Sequence, residues 1–320
     1  VTLPLPQGNG GWLYDVHVYP KNTVDTNVPT KDVADPTNGL HIGSIVPWTI
    51  KAPVQPDKPG AITKFTVTDQ LDSRLKFSSL TVSGSTGDFT KGTDYTVTPA
   101  NAGAAAGENI TVDFTEAGLA KLKAGDVVTL TLNTTVESLG ADGLIPNQAT
   151  VLTNDNGGKT TSKPGVPGTN PTTNWGPLGV LKYAQGDKAK TLEGAAFAVY
   201  ASQADAKAGT NAVTTITTGS DGTALTELYV GKNDVTSKSY WIKETTAPAG
   251  YVLNSAVTPV TVKAGSDASV VNYEIANTQQ DHPNLPLTGT AGTALMTLGG
   301  IALVAAGGAA YVLARKRSVR

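Results

Sequence analysis

Short runs of alternating apolar and polar residues recur along the chain: "IVPWTI", "ITKFTVTD", "DYTVTP", "NITVDF", "DVVTLTLNTTV" and "NQATVL" fall between Ile45 and Leu152. A period of two sends successive side chains to opposite faces, so each run predicts a strand with one buried and one wet side. Clusters of Pro, Asn, Asp and Gly punctuate the runs, as in a chain of many short strands. One short helix is expected at "TEAGLAKLKAG", with Thr115 as N-cap and Gly125 at its stop. After a polar stretch, "NDNGGKTTSKPGVPGTNPTTN", a second series follows: "GVLKYA", "AAFAVY", "AVTTITT", "TALTELYV", "SYWIKET", "VTPVTV" and "SVVNYEIAN". The pattern predicts an all-β chain of two tandem β-sandwiches, residues 23–161 and 175–278, joined by a linker at 162–174.

Phasing the strands exposes polar residues where apolar ones belong. In "SYWIKET" the series Tyr240, Ile242, Glu244 puts a carboxylate on the face of two large hydrophobes. Leu178, Val180 and Lys182 do the same for an amine, and Val271, Tyr273, Ile275 and Asn277 for an amide. Burying an amine and a carboxyl separately costs several kcal/mol each, even after relaxation. Together they relieve that cost, because desolvation lowers a lysine pKa and raises a glutamate pKa until a proton passes between them. The outcome is a neutral, nucleophilic amine beside an acid able to polarise the carboxamide and help ammonia leave. Lys182 as nucleophile, Glu244 as proton shuttle and Asn277 as acceptor would form a Lys–Asn isopeptide bond, in one turnover of the protein on itself. The bland alternative is a buried ion pair with a neighbouring amide.

The first domain holds a less regular set. Phe65, Val67, Asp69 and Leu71 share a phase, so Asp69 points inward while Lys64, Thr66 and Thr68 point out; Asn147 is in phase with Ala149 and Val151. Lys51 falls opposite Val46, Trp48 and Ile50 and faces out, which leaves Lys31 in "PTKDVAD" as the nucleophile for Asp69 and Asn147. Asp69 also suits a turn-capping role in "TDQLDS".

At the far end, the run from Ala291 to Ala314 carries no charge and is followed by "RKRSVR". About twenty apolar residues span a hydrocarbon core of about 30 Å, so a C-terminal transmembrane helix with a cytoplasmic basic tail is expected. Leu285, Pro286, Leu287, Thr288 and Gly289 stand directly before it, after the polar "NTQQDHPN". The opening strand pattern "WLYDVHVYPKN" ends at Pro20 and presents Lys21 on the face opposite Trp12, Tyr14, Val16 and Val18.

Composition narrows the function. A net charge of −2 in 320 residues gives no electrostatic case for nucleic acid. Cysteine is absent, so a covalent staple would have to be of another kind. The three histidines are scattered, "NDNGG" around Asp155 reads as a turn rather than half a calcium loop, and no phosphate-cradling glycine loop occurs. No cofactor, no metal and no enzyme acting on other molecules are therefore expected.

Order and motif at the C-terminus, pentapeptide then span then basic tail, resemble the sorting signal of Gram-positive surface proteins, which a membrane-side sortase cuts between threonine and glycine. The resemblance implies that Thr288 becomes an acyl donor, that residues 279–320 are the signal, and that the membrane span serves only before sorting. "VYPK" after a tryptophan-led strand resembles the pilin motif of sortase-built pili, which makes Lys21 the acceptor for the next subunit. "LKYAQGDKAKTLEGAAFAVY" with "YWIKETTAPAGY" is similar to collagen-adhesin B-type domains and their E-box. The "VTD" and "N-x-A" strands resemble the fimbrial isopeptide-forming domains of pilin shafts. Together these imply immunoglobulin-like sandwiches in the major shaft subunit of a wall-anchored pilus. Its expected partners are a pilus-specific sortase, copies of itself, tip or base minor pilins and peptidoglycan, with a role in adhesion. The alternative is a monomeric adhesin joined to peptidoglycan through Thr288. Residues 1–22 are expected to be the end of a further N-terminal domain, and the chain to be a fragment or processed form.

Overall fold

The computed structural model describes residues 5–6, 10–13, 29–54, 62–85, 87–103, 105–140, 142–154, 160–164, 171–265 and 271–280. They divide into two units, each nearly all β. The first contains the described residues within 1–34, 43–138 and 145–173; the second contains those within 35–42, 139–144 and 174–280. The short segment 35–42 counts with the second unit because it hydrogen-bonds there, Tyr229 N donating to Leu40 O (2.9 Å) and Ile42 N to Glu227 O (3.0 Å). Such non-local pairing leaves no mark on the local pattern.

In the first unit, one sheet runs edge to edge through Thr30–Val33, Ile45–Pro53, Val127–Val136, Leu75–Gly84 and Gly87–Asp88. The other runs through Thr160–Pro164, Gln148–Asn154, Phe65–Gln70, Asn109–Phe114 and Tyr95–Thr98. Strict alternation along Val127–Val136 buries Val128, Leu130, Leu132 and Val136 against Trp48, Ile50 and Leu75. On the second sheet, Phe114 meets Phe65 and Phe89 edge-on, with ring centroids 5.2 and 5.0 Å apart. The indole of Trp48 is not left unpaired: Nε1 donates to Thr134 Oγ1 at 2.9 Å.

The strand Leu75–Gly84 escaped the sequence reading because its phase slips. Leu75 and Phe77 are buried, then Val82, and its ladder with Val127–Val136 shifts register between Asn133 and Thr134. A bulge of this kind turns the following side chains to the other face and erases a clean period of two. The polar stretch after Asn154 also holds structure: Thr160–Pro164 pairs antiparallel with Gln148–Asn154, and the next strand begins at Thr172, so the linker expected at 162–174 is partly strand.

The helix at Glu116–Leu119 starts as expected, with the Thr115 hydroxyl accepting from Gly118 N, but ends at Ala120 instead of reaching Gly125. Lys121 N and Leu122 N bond three residues back, to Gly118 O and Leu119 O, which tightens and closes the turn. A second helix, Gln203–Ala208, was not anticipated, although Ser202 caps it by accepting from Asp205 N and Gly209 ends it in the left-handed conformation.

In the second unit the strand Thr172–Ala184 is the hub of one sheet, pairing with Asp187–Thr191, Thr223–Lys232 and Tyr273–Asn277. The other sheet orders Ala212–Thr217, Ala196–Tyr200, Ser237–Thr246 and Val257–Lys263. Leu178, Val180, Phe197, Leu228, Tyr240, Ile242 and Val262 form the core between them. Asp187–Thr191 is wholly exposed and polar, which is why no hydrophobic pattern announced it. The last strand runs parallel to the first, pairing Lys182 with Ile275 and Ala184 with Asn277.

Close packing fixes Gly118. A Cβ built there would stand 1.9 Å from Asp94 O, which already accepts from Thr115 N at 2.9 Å. Gly118→Ala is expected to destabilise the unit by about 1–3 kcal/mol, seen as a lower thermal midpoint than that of the parent chain. An unchanged midpoint would mean that the Asp94 turn yields freely.

Candidate functional site

The second unit gathers Lys182, Glu244 and Asn277 into one dry cluster, exposed by 0%, 3% and 2%. Lys182 lies near the end of the hub strand and Asn277 at the end of the strand parallel to it, so both side chains share a face, two register steps apart. Glu244 comes from Ser237–Thr246 in the facing sheet, on the same buried phase as Tyr240 and Ile242. Lys182 Nζ stands 2.5 Å from Asn277 Oδ1 and 3.1 Å from Glu244 Oε1. The Asn277 amide nitrogen donates to both carboxylate oxygens, at 2.9 Å to Oε1 and 3.0 Å to Oε2. Burial pulls the Lys182 pKa down, and the Glu244 carboxylate opposes this only in part. The ring of Phe197, 5.4 Å from Nζ, forms the apolar floor beneath the amine.

The first unit repeats the residue types on a different frame. Lys31, Asp69 and Asn147 are 8%, 2% and 2% exposed. Lys31 sits on Thr30–Val33, whose alternation buries Lys31 and Val33 and exposes Thr30 and Asp32; four residues were too few to show this in advance. Its amine bonds to Asp69 Oδ2 on the other sheet and lies 5.1 Å from the Trp48 ring centroid. Lys64 lies on the side away from Asp69, as expected, but Thr66, expected to point out with it, is buried at 6% exposure; the two hold Asp113 at 2.7 and 2.5 Å. Desolvation lowers the Lys31 pKa from 10.5 to about 8 against the pull of Asp69, and raises that of Asp69 against the pull of Lys31 and, more weakly, of the neighbouring Asn147 carboxamide. Asn147 influences that charge without being aligned to it: Asp69 Oδ1 and both Asn147 amide atoms are buried with no hydrogen bond. Polar atoms left so carry a cost of about 1–3 kcal/mol each.

All six lysine, carboxylate and asparagine residues, five singled out by phase and Lys31 by elimination, are thus buried in the unit expected of them. Sequence reasoning missed the aromatic floors, Trp48 and Phe197. It also missed a backbone donor, Asn254 N, 2.6 Å from Glu244 Oε2. The floors were legible as in-phase neighbours, whereas a backbone N–H has no sequence signal. Lys21, the residues Leu285, Pro286, Leu287, Thr288 and Gly289, and the span expected at 291–314 lie outside the described residues. Among the described residues no helix is long and apolar enough to cross a membrane, and no group of three or more His, Cys, Asp or Glu side chains is placed to hold a metal ion.

Fold and clusters together define a class: tandem β-sandwiches with a buried amine, acid and amide in each. Comparison with known proteins places the chain further. Residues 176–279 match the SpaA prealbumin-like fold domain, 22–163 the Sgo0707 N2 domain, and 277–319 the LPXTG cell wall anchor motif. The chain is 32% identical to fimbrial subunit type 2 of Actinomyces naeslundii and 33% identical to fimbrial subunit type 1 of Actinomyces viscosus, in each case over 99% of its own length. It spans 66% and 69% of the length of those two relatives. The full-length major pilin SpaD of Corynebacterium diphtheriae superposes with a TM-score of 0.64 at 29% identity, over 88% of this chain and 72% of that one. The chain belongs to the fimbrial subunit family, and its anchor motif makes it a wall-anchored protein of the cell surface.

Lys31 sets a pH dependence. Between about 8 and 10.5 the unfolded chain binds a proton that the folded chain has released, so folding stability rises with pH across that window. In Asn147→Ala, which cannot crosslink through this residue, the urea unfolding free energy of the first unit is expected to rise by about 1–3 kcal/mol over that interval. Asn147→Ala/Lys31→Met should lack the rise; parallel curves for the two variants would refute the assignment.

Proposed function

We propose that the chain is the repeating shaft subunit of a covalent pilus, in which sortase joins Thr288 of one copy to Lys21 of the next. Autocatalytic Lys31–Asn147 and Lys182–Asn277 isopeptide bonds lock each unit. The observation that carries this reading is the buried triad of the second unit. There the amine, 2.5 Å from the amide oxygen, shares Glu244 with the amide nitrogen that would leave.

The chemistry balances without any added reactant. Lys182 gives a proton to Glu244 Oε1, which frees a lone pair on Nζ. That pair attacks Asn277 Cγ, forming the new C–N bond, and the charge develops on Oδ1. Glu244 then hands its proton to Nδ2, and the old C–N bond breaks. A second proton leaves the attacking nitrogen with the departing ammonia, so an ammonium side chain and a carboxamide become an amide and ammonium. Glu244 starts and ends as a carboxylate. Asp69 has the same task in the first unit, where desolvation supports proton exchange with Lys31 by lowering the amine's pKa and raising the acid's.

Mechanical function follows from where the bonds would lie. Lys182 and Asn277 are 95 positions apart, on the first and last strands of their sandwich. Closing a loop of about 100 residues is worth roughly 4.7 kcal/mol in the chain-entropy account. Under tension the larger effect is routing: force passes from the first strand to the last through the bond, and the residues between carry none. A Lys31–Asn147 bond would likewise unload the residues between them, although Asn147 directly precedes Gln148–Asn154 and the strand Thr160–Pro164 lies beyond it.

Intact mass of the folded chain is expected to fall short of the sequence mass by two ammonia molecules. Glu244→Gln and Asp69→Asn should each restore one of them; a full sequence mass in the parent would sink the crosslinks. For assembly, Lys21→Ala in the producing cell should abolish the detergent-resistant ladder and leave one wall-released band. A persisting ladder excludes Lys21 as the acceptor, and a single band already in the parent would favour the monomeric adhesin.

A further inference from the structure

Glu244 accepts one contact that the proposed reaction does not consume. The backbone N–H of Asn254 donates to Oε2 at 2.6 Å; Asn277 Nδ2 reaches both oxygens (2.9 Å to Oε1, 3.0 Å to Oε2), while Lys182 Nζ stands 3.1 Å from Oε1. We propose that this N–H is a positioning group for crosslinking: it occupies Oε2 and so confines the transferable proton to Oε1, the oxygen that touches both donor and leaving group. The inference rests on the assignment of Lys182, Glu244 and Asn277 given above. A proton on Oε2 would have to compete with the N–H for the same oxygen, at a separation that suits only an acceptor. On Oε1 a proton can arrive from the amine and depart to the amide nitrogen without rotation of the carboxyl group.

The loop that supplies the N–H is tied to the chain that follows the target asparagine. Tyr251 N bonds back to Pro248 O (3.1 Å), Val252 N donates to Thr278 O (2.9 Å), and Gln280 N donates to Gly250 O (2.9 Å). Gln280 Nε2 adds a bond to Tyr251 O at 3.2 Å. Asn254 is itself held in a tight turn, its Oδ1 accepting from Ala256 N at 3.0 Å. Tyr251 packs with Ala184, the register partner of Asn277. Because Thr278 directly follows Asn277, this clasp closes only once the last strand is seated. The proton carrier is thereby oriented by the arrival of the residue it is to act on, which suppresses transfer in a half-assembled sandwich.

The test exchanges the single amide. In an Asn254→Ala chain, which keeps the N–H, position 254 is made an ester by incorporating the α-hydroxy analogue of alanine. Both chains are purified in denaturant and refolded. Folding is followed by tryptophan fluorescence, and ammonia loss by intact mass in an Asp69→Asn background that reports the second unit alone. The rate of the amide chain is the reference against which the ester chain is read. The ester chain should fold in the same fluorescence phase yet lose ammonia about tenfold or more slowly, the effect of one hydrogen bond to a charged group. Equal rates for ester and amide overturn the proposal. So does a slower loss that merely tracks a slower or incomplete fluorescence phase, which would assign the N–H a structural role. If the Asn254 parent in this background loses no ammonia at all, it is the triad assignment that fails.

Discussion

The cost of hiding charge governs this protein. Each sandwich buries a lysine and a carboxylate almost completely, and such ions lose several kcal/mol of hydration apiece. A wholly apolar core of the same volume would avoid that cost, so the pairs are poor stabilisers as they stand. Under the proposed crosslinking their value is chemical. Desolvation brings amine and acid toward a common proton affinity: burial holds the Lys31 amine below its ordinary value and the Asp69 carboxyl above its own. The aromatic floors under both amines, Trp48 and Phe197, keep the surroundings dry while tolerating residual positive charge.

The two units build this environment differently. In the second, amine and amide stand side by side on parallel neighbours of one sheet, and only the glutamate crosses from the facing sheet. In the first, the amine comes from one sheet, while the aspartate belongs to the other and the asparagine directly precedes a strand of that same other sheet. A bond in the second unit would link adjacent strands, and one in the first unit would tie two layers together. A crosslink at either cluster would join an early part of its unit to a late one. The order of strands, more than the fold class, decides which residues a crosslink would shield.

Not every part of the site was equally legible. Tyr240, Ile242 and Glu244 announced a buried carboxylate because three same-phase positions in a long strand leave little freedom of register. Lys31 was reached by elimination, since Thr30–Val33 is too short to display a period, and the structure shows its burial to come from pairing with Ile45–Pro53. Leu75–Gly84 was invisible because a bulge broke its alternation, and Asp187–Thr191 because a fully exposed edge strand has no apolar face to reveal. The helix at Glu116–Leu119 began where its cap dictated and stopped early, because capping is a local interaction and helix length is set by what the next residues pack against.

The amino-acid sequence by itself determined the β character, the inward phase of five of the six cluster residues, and the sorting pentapeptide, all of which depend on spacing within a few residues. Tertiary structure alone decided that Lys182 and Asn277 are parallel neighbours, that the Asn147 side-chain amide is buried without a hydrogen bond, and that the Asn254 N–H reaches Glu244. The physical reason is that side-chain periodicity is a property of a single strand. Distances of 3 Å between residues nearly a hundred positions apart arise only when strands choose their partners, and that choice is made by the summed packing of the whole sandwich.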